Sequence, residues 1–383
     1  MNFEFFMPTR LIFGPGKVKE VGVNAKALGK KALIVTGKSS AKKAGYLDVV
    51  AKSLEQEKID WVLFDEVEPN PLTTTVERGA KLARDTGADF VVGLGGGSAM
   101  DTAKGIAFAT LNEGPLADYI AGKRGGDALP IVLITTTAGT GSEANNYAVF
   151  TNPETKVKKS LKSPGTYARF SIIDPELMLT VPKKVTASTG IDVFFHAMEA
   201  YVGKRSQPFT DALALEAIRL VAENLKGACE HGDDIQYRER MAWANTLAGV
   251  AINLSGTCGI HGMGHPLSGI YDVPHGESLS AVSLAFMRFN IPEAPGKFAK
   301  VAEALGVDVR GLTLLEAAEK SVQALKDLMD SIEVPQKISA FGITEKDIDA
   351  LAEHTCKWMT HNLEASPRVP AIDDVKKMYR ESL

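Results

Sequence analysis

The feature that most constrains the fold is a unit that recurs through the first 175 residues. A short, uniformly apolar run is followed by a turn of small residues and then by a segment with helical spacing. Residues 31–36 (KALIVT), 61–64 (WVLF), 89–94 (DFVVGL) and 130–134 (PIVLI) are such runs, and 168–174, ahead of Pro175, closes the series. A strand wetted on one face alternates apolar and polar residues, whereas a strand apolar throughout is covered on both faces. With helical spacing at 17–28 and 73–85 between the runs, the pattern predicts βαβ units and a parallel, Rossmann-like sheet. Residues 3–13 mix aromatic and β-branched side chains around Pro8 and end at Gly14-Pro15-Gly16, so they read as an extended entry or a hairpin.

From about residue 182 the texture changes. Segments 210–227, 235–252, 293–304, 313–332 and 345–352 carry helical spacing, with boundaries at Ser206-Gln207-Pro208, Gly306 and Pro335. The chain, 383 residues long, is sufficient for two cores. The expectation is an α/β domain over 1–180 and an all-α domain over 181–383, parted after Asp174-Pro175.

Composition removes several classes. An apolar fraction of 45% and a charged fraction of 23% are those of a globular chain, not a disordered or fibrous one. The formal charge is −4, and no basic block interleaves with aromatics, which argues against nucleic acid as a partner. Lys156-Val157-Lys158-Lys159 is too short to alter this and reads as a solvated loop. Cys229, Cys258 and Cys356 form no CxxC pair, which argues against a disulfide framework or thiolate metal site and fits a reducing cytoplasm. The start, MNFEFFMPTRLIFG, lacks the basic-then-apolar pattern of a signal peptide. No apolar run reaches the roughly 18–20 residues a membrane helix needs, so no membrane association is expected.

Three stretches carry chemistry. The third apolar run ends in Gly95-Gly96-Gly97-Ser98-Ala99-Met100-Asp101, where glycines between strand and helix let backbone amides approach a phosphate. The GxGxxG fingerprint is absent, because Ser98 stands where its last glycine would be, and a ligand-free turn fits the cluster equally well. After 130–134 comes Thr135-Thr136-Thr137-Ala138-Gly139-Thr140-Gly141-Ser142, small donors at the carboxyl edge of a parallel sheet. An ordinary Ser/Thr-rich loop is the plain reading of that segment. The pair together favours a nucleotide site.

The third stretch concerns a metal. Asp192 and His196 lie four apart in a helical segment and face one way. His261, His265 and His275 follow among glycines and prolines, and carboxylate with imidazole suits a divalent first-row metal. Spacing does not choose which two of the three later histidines complete the set. His261 and His265 share a face if the segment is helical, yet Pro266 disfavours helical geometry at His265. His231, His354 and His361 read as surface residues without partners. Phe150, Phe194, Phe195, Leu254 and Cys258 line a pocket or, more commonly for apolar residues, belong to the core.

These pieces together resemble the iron-containing (group III) alcohol dehydrogenase family over nearly the whole chain: FGPG, GGGSAMDTAK, TTTAGTGSE, DPELM, TGIDVFFHAMEAYV, HGMGHPLSGIYDVPHG and SPR. The resemblance implies metal ligands Asp192, His196, His261 and His275, with iron first among divalent ions and zinc an alternative. It leaves His265 as the non-ligand histidine, suited to relaying a proton near neutrality. For the cofactor it implies Gly96, Gly97, Ser98 and Asp101, Asn70 from Pro69-Asn70-Pro71, Thr136, Thr137, Thr140, Ser142 and Lys158. Many NAD-using members carry an aspartate after the first strand's threonine; here Thr36 is followed by Gly37, Lys38, Ser39 and Ser40. That departure resembles the NADP-preferring branch, since Gly37 removes a carboxylate that would repel a 2′-phosphate, although use of both cofactors is the plain alternative. The family implies hydride transfer between NADP(H), or NAD(H), and a small primary alcohol or aldehyde, in a homodimer or larger homo-oligomer. Dehydroquinate-synthase-like and glycerol-dehydrogenase-like enzymes share the architecture, but a polyanionic substrate needs basic residues that the segment 261–275 lacks.

Overall fold

The computed structural model describes residues 3–383 and divides them into two compact units, Phe6–Thr180 and Val181–Leu383, residues 3–5 grouping with the second. The first holds a six-stranded sheet and a hairpin. The sheet strands are β1 (Arg10–Phe13), β2 (Lys31–Gly37), β3 (Asp60–Val67), β4 (Phe90–Gly95), β5 (Ile131–Thr135) and β8 (Phe170–Ile173), in the order β1-β8-β5-β4-β2-β3. Every pairing in it is parallel. The hairpin pairs β6 (Tyr147–Thr151) with β7 (Lys158–Lys162) antiparallel. Helices α1 (Val21–Ala25), α2 (Ser40–Lys43), α3 (Tyr46–Gln56), α4 (Thr73–Thr86), α5 (Gly97–Leu111) and α6 (Leu116–Ile120) complete the unit.

The apolar runs explain the sheet. Leu33, Val35, Val91, Ile131 and Leu133 face one core with Val76, Met100 and Ile106 of α4 and α5. The alternate residues Ala32, Ile34, Val92, Leu94, Val132 and Ile134 face another with Val21, Val50 and Leu54. Both faces are dry, as uniformly apolar strands require. α5 lies close on β4: a Cβ at Gly93 would come 2.8 Å from the Ala103 Cβ.

One expectation is narrowed here to its extended alternative, and one changes. The opening segment forms no hairpin among the described residues; Arg10–Phe13 adds to the sheet edge beside β8. Residues 156–159 are not a solvated loop throughout, because Lys158 opens β7 and is buried. A strand of alternating lysine, serine and leucine has too weak an apolar signal to be seen without its partner.

The second unit is helical: α7 (Lys183–Val202), α8 (Pro208–Glu230), α9 (Ile235–Ser255), α10 (Gly259–Tyr271) and α11 (His275–Asn290), with further helices to Glu381. α7 is buried on nearly every side from Gly190 to Val202, which makes it the axis of the unit. Gly190 allows this, since a Cβ there would lie 2.2 Å from Leu225 Cδ1 of α8. Among the described residues no helix is long and apolar enough to cross a membrane.

Candidate active site

α7 presents Asp192, His196 and Glu199 at successive turns of one face, all buried. α10 supplies His261 in its first turn and His265 one turn later. Pro266 sits inside this helix, so the expected distortion at His265 does not occur. A proline ring removes the amide that would bond the carbonyl four residues back, here Gly262, but the helix continues. Asp272, in the left-handed region at φ 54°, ends α10, and α11 begins at His275 after Pro274. The seat of His275 depends on Gly276, where a Cβ would fall 1.8 Å from the Ser188 carbonyl oxygen of α7.

Asp192 Oδ1 is the centre of this arrangement. It lies 3.5 Å from His196 Nδ1, 3.7 Å from His261 Nε2 and 3.8 Å from His275 Nε2. It is buried and accepts no hydrogen bond. A buried carboxylate oxygen left in that state is costly. Ligand atoms bonded about 2.1 Å from one tetrahedral ion stand roughly 3.4 Å apart, close to these separations. Asp192, His261 and His275 each offer a ligand atom within 4.8 Å of the others. His196 adjoins them, its Nε2 3.1 Å from His261 Nε2 and its ring stacked on the His261 ring at 4.6 Å. The donor set therefore fits a divalent cation. The His275 side chain is 23% exposed while the others are nearly closed off, so the cluster has one open side. His265 stands beside it, ring centroids 5.8 Å from His261 and 5.4 Å from His275.

Glu199 is a functional residue that the motif reading passed over. Its Oε1 accepts from the amides of Cys258 at 2.9 Å, Ile260 at 2.8 Å and His261 at 3.3 Å, at the positive end of α10. Its Oε2 bonds His261 Nδ1. A carboxylate on Nδ1 keeps the proton there and turns the Nε2 lone pair toward the cluster. Burial disfavours a charged His261, but the Glu199 and Asp192 carboxylates outweigh it and push the imidazole up to about 9, so a cation taking the Nε2 lone pair would displace a proton from that nitrogen. The signal was present in the sequence: Glu199 lies seven residues from Asp192, two helical turns along the same face.

In the α/β unit the glycine-rich turn closes β4 and starts α5. Gly95, at φ 151°, makes the bend, and Gly96 caps the helix. The second loop lies directly against it: a Cβ on Gly96 would come 2.9 Å from Thr137 Oγ1, and one on Gly97 2.3 Å from Thr140 Cγ2. The Thr136 amide donates to the Gly95 carbonyl at 3.0 Å. Gly96, Gly97, Ser98, Thr136, Thr137 and Thr140 are thus brought together at the carboxyl edge of the sheet. Asp101 and Ser142 face inward instead. Asp101 Oδ1 accepts from Ser142 Oγ at 2.6 Å and Oδ2 from the Val149 amide at 2.9 Å, and burial raises this carboxyl. Lys158 Nζ donates to Asn70 Oδ1 at 2.8 Å, with Asn70 in the left-handed region at φ 52°. Gly37 ends β2, and Lys38, Ser39 and Ser40 are exposed beyond it.

The other histidines and apolar residues resolve plainly. His231 is exposed, His354 is half-buried near Trp358, and His361, although exposed, meets the Arg205 guanidinium. All three depart from the expectation of surface residues without partners, since the His231 ring is also stacked with that of Tyr237. Phe150, Phe194, Phe195 and Cys258 are fully buried core residues.

Family models match both units: iron-containing alcohol dehydrogenase over residues 8–175, and the C-terminal region of the same family over 186–383. The chain belongs to the iron-containing alcohol dehydrogenase family. It is 40% identical to a 1,3-propanediol dehydrogenase of Klebsiella pneumoniae, covering 99% of this chain and 98% of that one. An NAD-dependent methanol dehydrogenase of Bacillus methanolicus is 37% identical, over 99% of each. The crystal structure of an archaeal alcohol dehydrogenase from a Red Sea brine pool superposes with a TM-score of 0.96 at 38% identity, covering 100% of this chain and 99% of that one. As an iron-type alcohol dehydrogenase, the protein is an oxidoreductase with an α/β N-terminal domain and a helical C-terminal domain.

Proposed function

We propose that this iron-type alcohol dehydrogenase interconverts a short primary alcohol and its aldehyde, with Fe2+ held by Asp192, His196, His261 and His275 and with NADP(H) preferred over NAD(H). Residues 1–180 would form the nucleotide-binding domain and 181–383 the metal-binding, catalytic one. The observation that carries the reading is Asp192 Oδ1, buried without a hydrogen bond and 3.5 to 3.8 Å from three imidazole nitrogens. Relatives named for 1,3-propanediol and methanol support a primary alcohol.

Bound metal and nicotinamide together supply Lewis acidity and hydride exchange. The chain's own residues do the rest. Glu199 fixes the His261 ring so that Nε2 faces inward. The cluster's burial keeps bulk water off the reacting oxygen, and the half-open His275 side admits the substrate. His265, beside the cluster and outside the ligand set, exchanges a proton at its imidazole nitrogen with the substrate hydroxyl. On the nucleotide side, the amides at the start of α5 and the Thr136–Thr140 hydroxyls bond the pyrophosphate, with Lys158 and Asn70 nearby.

The cofactor preference rests on the end of β2. Gly37 offers no carboxylate to repel a 2′-phosphate, and exposed Lys38, Ser39 and Ser40 supply a charged donor and two hydroxyls. A hydrogen bond to a charged group contributes about 1.5–3 kcal/mol, equivalent to a preference of about 10- to 100-fold. The three unpaired cysteines support a reducing, cytoplasmic setting. The test is a steady-state assay of iron-reconstituted protein with NADPH and NADH across short aldehydes. Metal-dependent oxidation of NADPH, faster than that of NADH, is expected. Absence of turnover with every aldehyde would overturn the activity, and a preference for NADH would overturn the cofactor reading alone.

A further inference from the structure

The C-terminal helix, Ile372–Glu381, carries a fully buried phenol, Tyr379. Its hydroxyl donates to the Met263 carbonyl of α10 at 2.8 Å and lies 2.8 Å from Thr355 Oγ1 of the helix Ile348–Trp358. A phenol has one proton, and a carbonyl can only accept. The arrangement that makes both bonds therefore runs from the Thr355 hydroxyl to the phenol oxygen, and from the phenol to Met263. Burial pushes the Tyr379 phenol up, so it keeps the proton that this chain needs.

The carbonyl it meets lies in the weakest turn of α10. Pro266 has no amide, so the Gly262 carbonyl lacks its helix donor, and Met263 is the next residue. A hydroxyl from outside the helix holds the turn that the proline leaves short of a bond. At about 100° per residue, Met263 and His265 lie about 160° apart around the helix. Tyr379 thus grips the back of the turn whose front presents His265. The remainder of α10 is seated by other means. A Cβ at Gly259 would come 2.3 Å from Phe286 Cε2, and one at Gly264 2.6 Å from Leu279 Cδ2, both of α11. The Glu199 carboxylate fixes His261 in the first turn. We infer that Tyr379 is a positioning residue for proton transfer: acting through the Met263 carbonyl, it fixes the turn of α10 that aims His265. This rests on the reading of His265 as the proton relay.

Loss of a buried hydroxyl lowers stability whether or not it positions anything, so the melting temperature does not decide. Coupling does. In metal-loaded Tyr379→Phe, which keeps the ring, kcat is expected to fall by about 10-fold, because a displacement of about 1 Å costs about 100-fold and this one is smaller. Metal content and KM should stay within about 2-fold of wild type. Placed in a His265→Ala background, Tyr379→Phe should cost nothing more, because the group it aims is gone. In metal-free protein, the amides of Leu267 and Ser268 should exchange with deuterium about 10-fold faster in Tyr379→Phe, the equivalent of one lost hydrogen bond, and those of Ile260 and His261 at the wild-type rate. Thr355→Val removes only the donor behind the phenol and should lower kcat by about 3-fold. It carries the test if Tyr379→Phe does not fold. Wild-type exchange in that turn, wild-type kcat in the folded variants, or equal losses with and without His265 would overturn the inference. A His265→Ala protein with wild-type kcat would instead overturn the relay reading on which it rests.

Discussion

Two buried clusters of charge, around Lys104 and around Asp192, are built on opposite plans. At the first, the Lys104 ammonium meets four oxygens of the chain, and the Asp101 carboxylate a hydroxyl and an amide. Around Asp192, one oxygen faces three imidazole nitrogens beyond 3.4 Å and accepts nothing. A satisfied cluster is complete and can only hold backbone in place. An unsatisfied one holds a place for something else. Glu199 joins the two plans, since its carboxylate is fully bonded and in that way orients a histidine whose far nitrogen faces the cluster.

The largest expected effect comes from the unsatisfied cluster. Asp192→Ala or His275→Ala should empty the metal site and abolish turnover, whereas His265→Ala should retain the metal and lose about 10²- to 10⁴-fold in kcat. Elemental analysis beside the assay checks both, and a His265→Ala protein without metal would reverse the assignment. Next in size, Lys104→Ala leaves the buried Ser142, Asn145 and Tyr147 carbonyls without their shared donor, and should cost about 3–5 kcal/mol in denaturant unfolding. Asp192→Ala measured on metal-free protein should cost less, because what it removes is an attraction for His261 across 3.7 Å and not a set of short hydrogen bonds; equal costs would break the comparison.

The same lysine gives stability a pH dependence. Its folded value of about 8 is below its ordinary 10.5, so between these the unfolded chain binds a proton that the folded chain does not. Native stability contributed by this group therefore rises as pH rises from about 8 to 10.5, and Lys104→Ala should lack that rise. Urea unfolding across that range measures it. Smaller again, Glu199→Gln keeps the volume but no longer fixes the His261 tautomer, and should weaken metal binding by about 10- to 100-fold in chelator competition. Unchanged affinity would reduce Glu199 to a cap on α10. The smallest effect is Gly37→Asp. A Cβ at Gly37 meets nothing closer than 3.8 Å, so the fold should tolerate it and the NADPH-to-NADH ratio of kcat/KM should fall by about 10-fold.

Much of this was legible in the sequence because it is local. Apolar runs without alternation demand a sheet covered on both faces, and they delimited β2, β4, β5 and β8 closely. Asp192 and His196 announce a shared face by spacing alone. What waited for the tertiary structure depends on partners distant in sequence. Glu199 and His261 are 62 residues apart, and Lys104 and Tyr147 are 43 apart, so no window of the chain displays either bond. Tertiary packing also overrode local preference: Pro266 lies within a helix, and Lys158 is buried in a strand that forms only because β6 lies beside it. The sequence by itself determined which side chains were available for chemistry and which segments had to be buried, since both follow from residue type and period. Which charges are spent on one another and which remain unpaired was decided only by the fold, because hydrogen-bond satisfaction is a property of the whole set of neighbours and of no single segment.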